Sequence, residues 1–587
     1  MSSLFLPVLM QMVMGEGRIN QAWRNKAMNA IKNAIDVLVV GAGPVGLAMA
    51  GELLRHEVRC RIIDKTAAPT QTSRALGIQA RTLEIFEHMG VIDSVLAAGT
   101  KAVGATIYNG DRVILRLSLQ HIKAKDSSYP FLLILPQSQT EAILNQRLNA
   151  LGGQVERSRE LFDIRLKDNT AIARVKTAGT EADNVEEIHA KWLIGCDGAS
   201  SQVRKTLAIP FEGTTAPEEW LLADVDLDWH RPRETTHGWL TRDGVFAVFP
   251  LPGGQWRLFA PSETETRQAS VEEFQRLFVQ YTGDTETTIR HPTWLSNFKV
   301  NYRMVKEYRK GCVFLAGDAA HIHSPFGGQG MNIGIQDAYN LAWKLALVLQ
   351  GKARASLLDT YQEERLPIAR YVLQGSQTAT QNLLVTQNPV FRWVRDRILV
   401  PFLNLDLIQR QLAQEASELR MNYRHTSLSA SHAKIGATIR TRINWWRAPH
   451  AGDRALPGDC LSYPAQTQTN LFQVFRGTES HVLLFAGLAP TDANYSQLAK
   501  LATKVETWIG DSIKAHIIVV GNEKPQQLFW NGSILLDPQQ KLHTLYGVHQ
   551  ASLYFIRPDG YVGLRSQAVK EKELLDYLAK IFSSPII

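Results

Sequence analysis

The chain has 587 residues, 45% of them hydrophobic and 20% charged, which exceeds the roughly 250 to 300 residues at which one core stops growing, so about three or four modules are expected. Its net charge of +8 is modest and comes without a Lys/Arg run, which argues against a nucleic-acid partner and leaves the excess cations to accompany anionic dinucleotides. The four cysteines, Cys60, Cys196, Cys312 and Cys460, stand far apart with no CxxC and no metal spacing, which points to a reducing, cytoplasmic compartment.

Residues 4–14 are apolar apart from Gln11, but the run is too short to span a bilayer, is broken by Pro7 and has no basic region before it. Arg18, Arg24, Lys26 and Lys32 follow, so residues 1–34 read equally as an amphipathic surface helix or as the product of a start assigned too early, with Met28 just ahead of the first strand. They form an extension of unknown role. No integral membrane association is expected.

The apolar run Val37-Leu38-Val39-Val40 reads as a buried parallel strand and leads into Gly41-Ala42-Gly43-Pro44-Val45-Gly46. Gly41 permits the tight turn, Gly43 lets a pyrophosphate approach the backbone, and Gly46 lets the following helix, to Arg55, pack on the strand. A second strand ends in Asp64, 23 residues after Gly41, placed for a ribose diol. An adenine dinucleotide is implied.

Farther on, residues 131–135 are strand-like, Ser138-Gln139-Thr140-Glu141 has the form of a capping box, and Leu144, Leu148 and Leu151 give its helix a buried stripe that Gly152 stops. A strand-turn-helix pattern returns at residues 193–204 with Asp197 at the turn. From residue 222 to 229 the pattern alternates, Ala223, Val225, Leu227 and Trp229 on one face and Asp224, Asp226 and Asp228 on the other, which predicts an antiparallel strand with one wet face. Residues 244–249 and 255–260 around Pro250-Leu251-Pro252-Gly253-Gly254 read as a hairpin. Such a sheet could roof a bound ring, and Trp220, Trp239, Phe246 and Phe249 are the candidate aromatics on it, with plain sheet core the competing reading for each.

Val313-Phe314-Leu315-Ala316 is a further strand, ended by Gly317-Asp318, and a Pro/Gly-rich loop leads to a helix near Met331. Asp318 can hold a polyol hydroxyl, and Gly327, Gly328 and Gly330 expose amides at a helix N-terminus, where negative charge on a reduced heteroaromatic ring is stabilised. That combination is flavin chemistry. His321 and His323 have no Cys or acid cluster to complete a metal site, and read as loop residues packing near the cofactor; no metal is expected. Residues 333–440 look helical, and 427–432 with 449–459 mark a linker. The last module alternates strands (481–485, 515–520, 552–557, 561–565) and helices, closed by Leu574, Leu575, Leu578, Ile581 and Phe582.

The motifs at Gly41, Asp197 and Gly317-Asp318 together resemble those of the class A flavoprotein monooxygenases, a group that includes para-hydroxybenzoate, phenol and rifampicin hydroxylating enzymes; the resemblance covers roughly residues 35 to 587. It implies an α/β fold: a Rossmann-like FAD-binding domain (35–212 and 301–345), an inserted antiparallel-sheet substrate domain (213–300), a helical region and linker (346–448) and a thioredoxin-like C-terminal domain (449–587). That last module lacks CxxC, so it would serve interaction or dimerisation rather than thiol chemistry. By resemblance, Gly41, Ala42, Gly43, Pro44, Val45, Gly46, Asp64 and Lys65 hold the ADP half of FAD. Asp197 lies near the pyrophosphates, Gly317-Asp318 near the ribityl chain, and Pro325, Gly328, Gly330, Met331 and Asn332 along the isoalloxazine edge. Arg74, in Ser73-Arg74-Ala75-Leu76-Gly77, and Gln137, in Leu135-Pro136-Gln137, resemble cofactor-contacting residues; a solvated arginine and a turn residue are the competing readings.

The resemblance further implies non-covalent FAD, NADH or NADPH as electron donor, O2 as co-substrate, and oxygen transfer from a flavin C4a-hydroperoxide to a small phenolic or polycyclic aromatic. A flavin oxidase or Baeyer-Villiger-type enzyme could use the same motifs, since fold does not settle chemistry, and an FAD-binding protein without catalysis is a further alternative. No local motif selects a catalytic base. The apolar terminal helix needs a partner surface, and the sheet it covers would itself abut the flavin domain or a second subunit in a homodimer.

Overall fold

A computed structural model describes residues 34–71, 75–123, 126–179, 185–241, 244–262, 268–324, 327–379, 400–433 and 439–583. The N-terminal extension before Ala34, and the expected site residues Arg74 and Pro325, lie outside the described residues.

The first layer is a mainly parallel sheet. Strand β1 (Ala34–Val40) leads through the glycine turn into helix α1 (Pro44–Arg55) and returns as β2 (Cys60–Ile63). Helix α2 (Gln137–Ala150) follows, then β3 (Val155–Glu156), β4 (Glu186–Gly195) and the short α3 (Gln202–Thr206). The capping box expected at Ser138 does not form: α2 starts at Gln137 after Pro136, with no side-chain cap, and Glu141 instead accepts from Gln137 Nε2 at 2.8 Å. Proline fixes φ and can begin the helix one residue earlier, so Ser138 falls inside it.

The second layer is an eight-stranded sheet built on β5 (Glu212–Leu227), β6 (Val245–Pro250), β7 (Trp256–Pro261) and β8 (Ile289–Met304), with helix α4 (Val271–Thr282) on one face. The β6–β7 hairpin is present as expected, with Pro252–Gly254 at its turn. The sheet also recruits Thr236–Leu240, the hairpin Gly104–Asn109/Arg112–Ser118 and, at its far edge, His321–Ile322. Leu221, Ala223, Val225, Trp239, Phe246 and Trp256 pack beneath Phe274, Leu277, Phe278 and Tyr281 of α4. Trp239 and Phe246 are therefore core. Trp220 and Phe249 belong to the opposite face, with Leu222, Phe259 and Phe298. The wet side that the alternation predicted holds at exposed Asp228 and half-buried Asp226, whereas Asp224 is buried by an ion pair with Arg257.

Strand β9 (Val313–Leu315) completes the first sheet, whose order runs Arg309–Lys310, β9, β4, β1, β2, β3. Helix α5 (Gly330–Leu349), buried along nearly its whole length, and α6 (Asp359–Ala379) pack behind it.

The third layer is another eight-stranded sheet. Strand β10 (Ser480–Phe485), helix α7 (Asp492–Ile509) and β11 (Ile513–Val520) form a parallel unit extended by β12 (Ser533–Asp537). On the other side β13 (Ser552–Ile556) runs antiparallel to β10 and to β14 (Val562–Ser566), and α8 (Glu571–Ile581) closes the module. The stretches expected to be a linker are structural: Ala430–His432 pairs with β14, and Gly452, Asp453 and Ala455 exchange backbone hydrogen bonds with residues 560 and 562. Polar composition misled because both stretches are ordered by backbone pairing, which composition does not reveal.

The turn Pro558-Asp559-Gly560 is driven into the first layer. Arg557 binds Asp559 and Glu364, Lys344 binds Glu364 at 2.7 Å, and Trp343 Nε1 donates to Asp559 at 3.2 Å, all fully buried or nearly so. Buried charges persist only when paired and hydrogen-bonded in this way. Among the described residues, no helix is long and apolar enough to cross a membrane and no His/Cys/Asp/Glu group has the arrangement of a metal site.

Candidate FAD site

Parallel register builds the site. Val40 aligns with Gly195 and Gly195 with Leu315, so the turns after β1, β4 and β9 emerge side by side at the carboxyl ends of adjacent strands, where open α/β sheets bind ligands. Gly41, Asp197 and Asp318, far apart in sequence, meet at this edge. Cys196 N donates to Val40 O at 2.8 Å and Ala316 N to Gly195 O at 3.0 Å, clamping the three turns together.

The three glycines of the first turn do different work. A Cβ on Gly41, whose φ is +102°, would lie 2.4 Å from Cys196 O, and one on Gly46 would lie 1.9 Å from Gly41 O. Neither position has room. A Cβ on Gly43 would meet nothing within 4 Å, so the middle of the turn borders open space at the N-terminus of α1. This is the cradle a pyrophosphate requires.

Asp64, half-buried at the end of β2, already receives three bonds: Ala42 N at 2.7 Å, Thr66 N at 2.8 Å and Thr66 Oγ1 at 2.5 Å. It fixes the glycine turn, with Arg157 at 3.8 Å; Lys65 is exposed beside it. Asp197 likewise accepts from Ser201 Oγ at 2.5 Å and from the amides of Gln202 and Val203 at 2.6 and 3.0 Å, holding α3. Burial pushes its carboxyl up despite those bonds. Asp318 is exposed between buried Gly317 and Ala319.

The loop ahead of α5 is stitched to the strand Gly77–Ile78. Asn332 Oδ1 accepts from Gln79 N at 3.0 Å, its Nδ2 donates to Gly77 O and Gly328 O, and Gln79 Nε2 donates to Gly327 O at 2.7 Å. The Asn332 side chain is thus spent on the loop itself. Met331 is buried, and Gly330 lies against the ring of His323, which burial pulls down to about 4 and so keeps neutral. Gln137 braces the neighbouring segment, its Oε1 accepting from Ala75 N at 3.2 Å.

Residues not singled out in the sequence do much of the positioning. Asp337, fully buried on α5, accepts from Gly317 N at 3.1 Å, His321 Nε2 at 2.7 Å and Arg365 Nε at 2.7 Å. Burial would raise its pKa, but Arg365 and His321 hold it below the ordinary range. The one acid of a largely apolar helix was the available signal, and its cation lies on the next helix. Val45 packs where Gly317 and Gly334 lack side chains: a Cβ on either would come within 2.8 or 2.6 Å of its Cγ2. That contact joins the two nucleotide segments.

Residues 34–376 match the model of a family described as an FAD binding domain. The chain belongs to the class A FAD-dependent aromatic monooxygenases. It is 34% identical over 550 residues to the 6-methylpretetramide 4-monooxygenase of Streptomyces rimosus, with 90% of each chain covered. It is 32% identical over 544 residues to the pentachlorophenol 4-monooxygenase of Sphingobium chlorophenolicum, covering 90% of this chain and 93% of that one. Its fold matches an anhydrotetracycline hydroxylase from Streptomyces rimosus with a TM-score of 0.71 at 26% identity, over 94% of this chain and all of the other. The open Gly43 cradle and the exposed Asp318 fit the FAD that this family binds.

Proposed function

We propose that the protein hydroxylates a phenolic or polycyclic aromatic substrate, using non-covalently bound FAD, NADH or NADPH as electron donor and O2 as co-substrate. One observation carries the reading: the edge formed by Gly43, Asp318 and the Gly327-Gly328 loop adjoins a sheet face whose aromatic residues Phe249, Trp294 and Phe298 are only half-buried. Phe249 packs with Leu76 and Leu251 next to Gly77, and β8 pairs with His321–Ile322 at the other end. A flat ring between flavin and sheet would be sandwiched by apolar walls.

Bound FAD would accept reducing equivalents, react with O2 and supply the electrophilic oxygen. The chain's contribution is positional. Gly41 to Gly46 with Asp64 and Lys65 would seat the ADP half, Asp197 and Gly317-Asp318 the pyrophosphate and ribityl chain, and the amides of Gly328, Gly330, Met331 and Asn332 would stabilise negative charge on the ring. Gln137, and from the sequence Arg74 and Pro325, complete the proposed set. The sheet face would exclude water from the reacting centre. We read residues 35–212 and 301–345 as the FAD domain, 213–300 with the 104–118 hairpin as the substrate sheet, 346–448 as the helical region, and 449–587 as a thioredoxin-like module. The parallel β10–α7–β11 unit with antiparallel β13 and β14 supports that last assignment.

Purified protein should be yellow and release FAD on acid denaturation, and mass spectrometry across a panel of phenols and fused-ring aromatics should find products heavier by one oxygen, with one O2 consumed per nicotinamide. A preparation that stays colourless after added FAD, or a product formed by ring expansion, would overturn the proposal.

A further inference from the structure

A cleft of about 440 Å³ opens on the seam between the first layer and the C-terminal module, where the end of α1, the helix Ala80–Met89, α2 and the loop leading into β10 come together. It lies ~18 Å from Gly43 along α1 at 1.5 Å per residue, separate from the candidate FAD edge, and its size falls in the range of small-molecule sites. Three arginines line it. Arg55 is fully engaged, pairing with Glu52 at 2.6 Å and donating through Nη1 to Gly477 O across the seam. Arg476, half exposed, gives only Nη2 to Glu87, at 3.1 Å. The Arg147 guanidinium has no ion-pair or hydrogen-bond partner among the described residues, and it stands over the helix cap Gly90, where a Cβ would come 3.6 Å from its Nη2. Thr478, half-buried on the same wall, uses its amide on Glu479 and leaves its hydroxyl without a partner among the described residues. The acids of the cleft do not complete Arg147. Glu87 is taken by Arg476 and by Tyr129 OH at 2.8 Å, Glu479 by Lys514, and Asp93, exposed at the start of the helix Ile92–Ala98, makes no ion pair with it.

We propose that this cleft binds a small phosphate monoester, its phosphate held between Arg147 of the first layer and Arg476 and Thr478 of the C-terminal module. A carboxylate is satisfied by a single guanidinium fork, whereas a tetrahedral phosphate offers oxygen edges to donors that approach from two sides. The volume left beyond the phosphate accommodates the organic group. Because the donors come from both sides of the seam, the ligand ties the C-terminal module to α2, and a ligand that binds only this docked arrangement stabilises it by mass action. The inference stands apart from the aromatic-site reading, since no residue of the cleft belongs to that site.

The test uses the FAD-loaded full chain at low ionic strength with inorganic phosphate, glycerol 3-phosphate and glycerate, the last two sharing a skeleton and differing in the anion. Binding is read by titration calorimetry and by the melting temperature. Wild type should bind glycerol 3-phosphate about tenfold or more tighter than glycerate, the scale of one added hydrogen bond between charged groups, and should melt higher in its presence. Arg147→Met and Arg476→Met should each weaken glycerol 3-phosphate by about tenfold or more on the same grounds, with FAD content unchanged. Arg147→Lys, which keeps the charge and loses the fork, should fall between wild type and Arg147→Met, and Asp93→Asn, which removes an unpaired negative charge from the rim, should bind more tightly. A wild type that binds neither phosphate ligand overturns the site, as does binding that survives intact in both Met variants. Glycerate bound as tightly as glycerol 3-phosphate overturns the phosphate selection. Loss in one Met variant but not in the other overturns the bridging of the two modules.

Discussion

Gly334→Ala sets two opposing effects against each other at the contact that joins the nucleotide segments. In an ordinary helix interior the change gains about 1 kcal/mol, because alanine loses less backbone freedom than glycine. Here the new Cβ would lie 2.6 Å from Val45 Cγ2 and 3.1 Å from Gly317 Cα. Overpacking of this kind costs about 1 to 3 kcal/mol, and the neighbours have little room to retreat. Gly317 sits at φ +59° with its N–H bound to buried Asp337, and the Val45 methyl already fills the space beside it. With so little room the clash should win by up to about 2 kcal/mol, and since it displaces both the α1 turn and the Gly317-Asp318 turn, most of the loss should appear as weaker FAD binding, roughly tenfold for each 1.4 kcal/mol. Titration of apo-protein with FAD, followed by flavin fluorescence, measures this directly. Val45→Ala in the same chain opens the space, so the double variant should bind FAD better than Gly334→Ala alone, with a coupling of about 1 kcal/mol or more. Wild-type affinity in Gly334→Ala, or strictly additive losses in the double variant, would refute the packing argument.

Asp318→Ala should reduce FAD affinity by about ten- to a hundredfold, the scale of a hydrogen bond to a charged group, with no change in the melting temperature of the apo-protein, because this exposed side chain sits outside the core; an unchanged dissociation constant would sink its assignment. Glu418 is buried with Gln336 Nε2 donating to its carboxyl at 2.5 Å, and burial pushes it up to about 8. The unfolded chain ionises the same group near pH 4.3, so this stabilisation is full below that value and declines by about 1.4 kcal/mol per unit until the pH reaches about 8. Glu418→Gln should remove that slope, so its melting temperature gains on wild type steadily from pH 5 to 8, and parallel profiles would count against a protonated carboxyl. Burial also pushes the Cys460 thiol up to about 12, so it should resist alkylation in the folded protein, and Cys460→Ala should leave nicotinamide-dependent turnover intact; lost turnover with FAD retained would point to thiol chemistry in the C-terminal module.

The parts of this fold that could be read from the sequence are those in which local chemistry and tertiary role coincide. The turn at Gly41 to Gly46 is legible because three glycines in one hexapeptide answer three local demands, and the packing around Gly41, Gly43 and Gly46 matches each. The β6–β7 hairpin is legible from its turn residues. Residues whose role depends on a distant element are not. Alternation alone sends Asp224 to solvent, because the cation that buries it, Arg257, lies 33 positions away. The aromatic candidates divide, Trp239 and Phe246 to the α4 side and Phe249 to the open face, on the question of which face a helix covers, and strand periodicity is silent about that.

Asp337 shows the limit most clearly, and shows why it falls at the site. A flavin-binding edge needs an exposed Asp318 and open amides, groups that cannot stabilise themselves by packing, so the rigidity of that turn must come from behind it. It comes from a carboxylate that binds Gly317 N, His321 and Arg365 together. Those partners come from the end of one strand, an edge strand of the second sheet and a second helix, and no spacing rule links them. Arg365 in turn donates to Ile333 O at 3.0 Å and Tyr423 OH at 3.1 Å, and Tyr423 packs against Tyr561 of the C-terminal module with ring centroids 4.3 Å apart. The turn that would hold the ribityl chain is therefore braced, through three buried side chains, by a domain that carries none of the proposed FAD contacts. The C-terminal module, whatever else it does, is part of the support of the candidate flavin site.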